Sequence, residues 1–155
     1  MFPLNSRKFM KGAAPAFALP PPQVELLDEQ AGPEGRTLRL RLTSPRGGAN
    51  LWAYVDASSE VVAAAVNGKA IEPARDGARV GPGAPWAMTY VGLPAEGAEL
   101  RLTVKANQPV RLRVDDRTYG LPQVAGQPAQ ARPDYIIPTP TSLSDVTIVS
   151  KSYVF

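Results

Sequence analysis

The sequence predicts an all-β protein: an antiparallel β-sandwich of about eight to nine strands with no substantial helix. Short stretches along the chain alternate apolar and polar residues with a period of two, the pattern of strands with one buried face. Proline and glycine are abundant, at 17 and 13 residues, and they separate those stretches as turn formers do. At 155 residues the chain can bury one core. The architecture expected is immunoglobulin- or fibronectin-like in general terms.

The clearest alternation lies between Gly97 and Pro122. Two apolar rows, one before and one after a break at 107–109, are formed by Leu100, Leu102, Val104, Val110, Leu112 and Val114. Charged residues occupy the positions between them. Two such runs joined by a short loop predict an antiparallel hairpin whose inner face is covered by a second layer.

Further strands are predicted on both sides of that stretch. They begin at Val24, Thr37, Leu51, Val61, Trp86 and Asp145, the last running to Phe155. Val61–Val66 is apolar on both faces, which predicts a central strand covered on both sides. Asn67-Gly68 predicts a tight turn that returns the chain through Lys69.

The strand patterns place the folded domain at residues 23–155. Residues 1–22 are expected to be a proline-rich linker, because proline fixes φ and removes a backbone donor. The glycine- and proline-rich stretch Arg75–Pro85 is expected to be an irregular loop, and 120–145 a long connection interrupted by prolines. The uncharged stretch Gly12–Val24 is too short to span a membrane as a helix.

The composition excludes several kinds of chemistry. The chain has no cysteine, which rules out disulfides, and no histidine, the commonest general base and zinc ligand. The net charge of +3 comes from Arg7, Lys8 and Lys11, which precede the first acid; the other 14 basic residues balance 14 acidic ones. A folded body without net charge does not favour nucleic acid as a partner.

Two groups of charged residues are candidates for a binding or catalytic site. The arginines of the outer rows form either a solvated sheet face or a site for polyanions; they are Arg39, Arg41, Arg101, Arg111 and Arg113. Asp115 and Asp116 are neighbours on a strand and point to opposite faces, so they are not expected to converge on one atom. No serine lies in a nucleophile motif. We therefore expect no catalytic residue, no metal site and no cofactor in this chain.

The aromatic residues leave two interpretations open. Trp52 and Tyr54 are predicted to face away from Leu51, Ala53 and Val55, whereas Trp86, Met88 and Tyr90 form another alternating row. Aromatic rings on sandwich strands usually pack in the core, but they also form surfaces that bind sugars or other ligands.

The C-terminal third resembles the tail of a known family. The residues that carry the resemblance are Tyr119 to Pro122, Arg132-Pro133, and the segment from Ser144 to Phe155. Three upstream segments fit the same resemblance: Ala18 to Pro22, Arg36 to Leu40 and Val66 to Lys69. Together they resemble the β-rich extracytoplasmic domain that ends multi-pass membrane proteins of the family-twenty-eight zinc metallopeptidases, the group that includes the endoplasmic-reticulum metallopeptidase.

The resemblance implies a non-catalytic accessory domain on the periplasmic or exterior side, attached to peptidase and membrane domains of the same parent. Zinc is expected only in that peptidase domain, because this chain has no histidine to match its ligands. The possible interaction surface comprises Trp52, Trp86, Tyr119, Leu121, Arg132, Tyr135 and Asp145. The alternative is a free-standing module that binds carbohydrate or the cell envelope.

Overall fold

Two antiparallel sheets make up the part of the protein that the computed structural model describes. The structure describes residues 17–33, 35–71, 86–105, 109–120, 133, 135 and 146–155. The nine strands in these ranges are β1 (Gln23–Gly32), β2 (Gly35–Thr43), β3 (Asn50–Val55), β4 (Val61–Val66), β5 (Lys69–Ala70), β6 (Trp86–Val91), β7 (Ala98–Val104), β8 (Arg111–Tyr119) and β9 (Val146–Val154). A single turn of 3₁₀ helix, Ala57–Ser59, is the only helical element among the described residues. The all-β prediction is confirmed.

One sheet has five strands in the order β1-β2-β7-β4-β5, and the other has four in the order β6-β3-β8-β9. Between them lies a single apolar core to which both sheets contribute. Its fully buried members are Leu38, Leu40 and Leu42 of β2, Leu51, Ala53 and Val55 of β3, Leu100, Leu102 and Val104 of β7, and Val110, Leu112 and Val114 on and before β8. Burying one such leucine or valine side chain stabilises the fold by about 1.5–3 kcal/mol. The predicted inward rows are therefore the core of the sandwich.

The predicted hairpin between the runs on either side of 107–109 is wrong. β7 lies between β2 and β4 in the five-stranded sheet, whereas β8 lies between β3 and β9 in the four-stranded sheet. An inward apolar row has the same period whether two runs pair with each other or face each other across a core.

The prediction that Val61–Val66 is covered on both faces is wrong, although β4 does lie between two strands, and the turn that follows is confirmed. β4 lies next to the two-residue edge strand β5, and its outer face is open, with Val62 43% exposed. Three of its six residues are alanines, which count as apolar in the sequence pattern but are small enough to be left exposed at little cost. After it, Asn67 and Gly68 both have positive φ, 48° and 77°, and Val66 pairs with Lys69.

The other predicted strands are confirmed by β1, β2, β3, β6 and β9. Trp52 and Tyr54 face away from the core, and Trp86, Met88 and Tyr90 pack against it, as the alternation predicts. Much of the predicted linker, the loop Arg75–Pro85 and most of the connection 120–145 lie outside the described residues. At the start of the domain, the Tyr153 hydroxyl donates a hydrogen bond to the carbonyl oxygen of Pro22.

Candidate functional site

The outer face of the four-stranded sheet carries an alternating row of charged and aromatic side chains. On β8 the row consists of Arg113, Asp115, Arg117 and Tyr119, whose neighbours Leu112, Val114 and Asp116 point inward. On the adjacent strand β3, Asn50 lies opposite Arg117, Trp52 opposite Asp115 and Tyr54 opposite Arg113. The register therefore places aromatic rings of one strand beside guanidinium groups of the next.

Two of these arginines lie over aromatic rings. The guanidinium carbon of Arg117 lies 3.4 Å from the centre of the Trp52 ring, and that of Arg113 lies 5.0 Å from the centre of the Tyr54 ring. The negative face of an aromatic ring attracts a cation, and the attraction grows as water is excluded. The two rings are 6.1 Å apart and tilted by 60°. Together the four side chains form a continuous layer on the sheet.

Asp115 lies beneath this layer and is 1% exposed although it belongs to an outer row. Arg113 donates two hydrogen bonds to it, from Nε at 2.8 Å and from Nη2 at 2.7 Å, one to each carboxylate oxygen. A paired geometry of this kind compensates much of the cost of burying the charge. The same hydrogen bonds raise the pKa of Arg113 above its ordinary value. Burial, followed by the charge of Asp115, raises the pKa of Tyr54 to about 12.

Arg117 has no comparable anion. Among the described residues no carboxylate forms a salt bridge with it, and its Nε is buried without a hydrogen-bond partner. Burial lowers the pKa of Arg117 from its ordinary value, partly offset by Tyr54, Asp115 and Tyr119.

Next to Arg117 the surface opens to solvent. Tyr119 is 67% exposed, and its hydroxyl accepts a long hydrogen bond of 3.4 Å from the side-chain amide of Asn50. Val91, opposite Asn50 on the edge strand β6, is 75% exposed. We call Asn50, Trp52, Arg117 and Tyr119 the Arg117 platform. The platform combines the amide of Asn50, the guanidinium of Arg117 stacked on the indole of Trp52, and the exposed ring of Tyr119.

Asp116 points to the other side of β8 and is fully buried. Its Oδ2 accepts a hydrogen bond from Ser44 Oγ at 2.7 Å and a longer one from Arg46 Nε at 3.4 Å. Arg46 also donates to the carbonyl oxygens of Asp116 and Thr147, both at 3.4 Å. These bonds fasten the β2–β3 loop to the four-stranded sheet. As predicted, the two neighbouring aspartates do not converge.

The arginines of the outer rows, which the sequence allows as one basic face, are divided between two sheets. Arg39, Arg41 and Arg101 lie on the outer face of the five-stranded sheet, whereas Arg111 and Arg113 lie on the four-stranded sheet. Arg39 donates two hydrogen bonds to Glu99, at 3.2 and 3.1 Å. This pairing raises the pKa of Arg39 and lowers that of Glu99.

A shallow polar depression of about 290 Å³ lies on that same outer face, lined by Asp28, Gln30, Thr37, Arg39 and Arg101. Both signs of charge are present in it, so it shows no preference for an anion or a cation. Its residues belong to a solvated sheet surface, the simpler of the two interpretations that the sequence left open.

The structure separates the residues expected to form an interaction surface. Trp52 and Tyr119 lie on the outer face of the four-stranded sheet, and both belong to the Arg117 platform. Trp86 lies on the inner side of β6 and packs against the core, a position that does not favour surface recognition. Tyr135 is 85% exposed. Leu121, Arg132 and Asp145 lie outside the described residues.

Sequence reasoning missed Arg117, Asn50 and the depth at which Asp115 lies. The alternation of β8 continues through Arg117 to Tyr119 and could have placed both residues on the outer face with Trp52. The burial of Asp115 had no such signal, because it results from side chains of a neighbouring strand and of Arg113 folding over the carboxylate.

Within the described residues, no group of three or more acidic, histidine or cysteine side chains could hold a metal ion. The described part of the chain also contains no helix with the length and apolarity needed to cross a membrane. Comparisons with protein-family models, with curated proteins and with solved structures found no match to this chain.

Proposed function

We propose that this chain is a non-catalytic accessory domain that binds a partner through the outer face of its four-stranded sheet. One observation carries the proposal: Arg117, stacked on Trp52 beside the exposed ring of Tyr119, forms no salt bridge with a carboxylate of the described residues and lies in an aromatic surface on a regular sheet. Flat surfaces of this composition suit recognition, because aromatic and arginine side chains contribute most to binding energy at interfaces.

The parent that we propose is a membrane-bound zinc metallopeptidase of family twenty-eight, with this domain at its extracytoplasmic C-terminus. The residue order of the chain's last third supports this parent, through the resemblance described above. In that setting the domain positions substrate, contacts another protein or stabilises the assembly, and zinc binds only in the peptidase domain.

The test begins with the reading frame that contains this chain. A peptidase domain followed by membrane helices upstream of Met1 is the expected result, and an upstream frame without them contradicts the parent. Where they are present, the full protein is compared with a Trp52→Ala/Tyr119→Ala variant on a long peptide and on a dipeptide. An accessory role in substrate positioning predicts a higher KM for the long peptide alone. Equal kinetics on both substrates contradict that role.

The position of Trp52 favours a second candidate, a free-standing module that binds carbohydrate or the cell envelope. Sugar rings present apolar faces to aromatic side chains and hydroxyl groups to amides and guanidinium groups, and Tyr119, Asn50 and Arg117 offer these within one small area.

Tryptophan fluorescence tests this candidate directly. A Trp86→Phe variant leaves Trp52 as the only tryptophan, because the chain has two. Titration with neutral and acidic polysaccharides is expected to change its emission in a saturable way. The matched Trp52→Phe variant reports on Trp86, which packs against the core from the inner side of β6, and is expected to show no change. Identical responses of both variants would argue against binding at the platform.

A further inference from the structure

The ligand chemistry follows from Arg117, the cation of the platform, which forms no salt bridge with a carboxylate in the described part of the chain. Asp115 is the nearest carboxylate on the same strand, but each of its oxygens already accepts a hydrogen bond from Arg113. The structure records no salt bridge between Arg117 and any described carboxylate. A partly buried guanidinium without an anion retains an unbalanced charge, which an anionic ligand would neutralise.

The geometry of Arg117 restricts the kind of anion. Its guanidinium carbon lies at van der Waals distance from the indole face of Trp52, so one side of the group is covered. The five donors of a guanidinium lie in its own plane, and they match the two oxygens of a carboxylate. With Nε buried, the terminal nitrogens remain for the ligand.

The neighbours of Arg117 offer further contacts, an aromatic ring and an amide, that a small inorganic anion would not need. Tyr119 is two residues further along the same face of β8, about 7 Å away, which is close to the width of one sugar ring. Its exposed ring offers a stacking surface, and Asn50 offers an amide to hydroxyl groups. Nucleic acid fits less well, because the Trp52 and Tyr54 rings are already faced by guanidinium groups.

We propose that the Arg117 platform binds an acidic polysaccharide, with a uronate carboxylate on Arg117, the sugar ring against Tyr119 and a hydroxyl group on Asn50. The proposal rests on the second candidate function and specifies its ligand class. Arg117 is the residue that distinguishes acidic from neutral sugars.

The test uses the whole chain and two probes with the same sugar backbone, polygalacturonate and its fully methyl-esterified form, in which methyl esters replace the charged carboxylates. Charge-assisted hydrogen bonds contribute about 1.5–3 kcal/mol, so esterification and Arg117→Ala are each expected to weaken binding about tenfold or more. Arg101→Ala removes an exposed arginine from the other sheet and is the matched control, with binding unchanged. Added salt should weaken binding of polygalacturonate and leave binding of the ester unchanged.

Two milder variants separate an effect on binding from a loss of folding. Arg117→Lys keeps the charge without the planar donors and is expected to weaken binding of polygalacturonate several-fold. Tyr119→Ala changes an exposed side chain and is expected to weaken binding of both polysaccharides. Thermal unfolding of each variant verifies that it is folded before binding is measured.

The remaining outcomes contradict the inference in different ways. Equal binding of the two polysaccharides would exclude Arg117 as the discriminating residue and leave the carbohydrate-binding function intact. Equal or tighter binding of polyglutamate would identify an acidic polypeptide as the ligand. Absence of binding to both polysaccharides overturns the inference, while the Trp52 fluorescence titration with neutral sugars still decides the carbohydrate-binding function.

Discussion

Asp115 and Asp116 are consecutive in the chain, both are buried, and different arginines hold them on opposite sides of one strand. Arg113 pairs with Asp115 beneath the outer face, at 2.7 Å, and Arg46 reaches Asp116 from the β2–β3 loop, at 3.4 Å. One strand therefore carries two buried carboxylates, each paired with an arginine on its own side. This arrangement lets β8 support the aromatic layer outside while it anchors a loop at the inner side.

Asp115→Asn should lower the free energy of unfolding by about 1–3 kcal/mol, because a partly buried guanidinium loses its anion. Glu99→Gln is the matched control, since the Arg39–Glu99 pair is exposed, with side chains 44% and 36% exposed. Exposed pairs contribute at most about 1 kcal/mol. Urea unfolding measures both variants. Losses of equal size would contradict the role assigned to burial.

Gly48→Ala should destabilise the protein by about 1–3 kcal/mol, as overpacking in a filled site does. A Cβ at Gly48 would collide with Oδ1 of Asp116 and lie about 3.0 Å from Ser44 Oγ. The control is Gly32→Ala, where the nearest atom, the carbonyl oxygen of Gly35, would be 3.8 Å away. Thermal unfolding should separate the two variants, and a fully stable Gly48→Ala would show that the β2–β3 loop is not tightly packed on Asp116.

Raising the pH should destabilise the fold through Tyr54. Burial raises its pKa to about 12, above the value of about 10 for an unfolded tyrosine. Neutral Tyr54 is therefore favoured in the folded state, and its contribution is complete below pH about 10 and is lost as the pH rises towards about 12. Unfolding measured across that range should show a shallower decline for Tyr54→Phe than for the native chain. Parallel curves would refute the assignment.

Asn67→Ala should destabilise the β4–β5 turn more than Asn67→Gly, by about 1 kcal/mol, because only glycine adopts positive φ without strain. Asn67 has φ of 48°, and its side chain accepts a hydrogen bond from the Glu99 amide at 2.8 Å and donates one to the Tyr90 hydroxyl at 3.2 Å. Both variants lose these hydrogen bonds, so the difference between their stabilities reports the cost of positive φ for a residue other than glycine. Equal stabilities in chemical unfolding would falsify this account.

The alternation of single residues was enough to predict the strands and the inward rows, because burial on one face imposes a period of two. Strand pairing was not predictable in the same way. Leu102 and Leu112 face the same core from different sheets, and their rows would look alike in a hairpin. Pairing depends on contacts between distant residues, such as Leu40 with Leu100, which no local pattern encodes.

The candidate site was predictable in part for a related reason. Trp52 and Tyr119 were named in a possible interaction surface, with core packing as the alternative, and both lie on the outer face of the four-stranded sheet. Both residues lie next to Arg117 because of the register between β3 and β8, in which Asn50 is opposite Arg117. A shift of one residue would turn these side chains to the other face. The register is fixed only when the core is packed.

The chain passes from one sheet to the other five times, between β2 and β3, β3 and β4, β5 and β6, β6 and β7, and β7 and β8. Neither layer can be completed before the other is largely assembled, so folding has to close many distant contacts together. We therefore expect equilibrium denaturation to follow a single all-or-none transition, with the same midpoint whether secondary structure or tryptophan emission is followed.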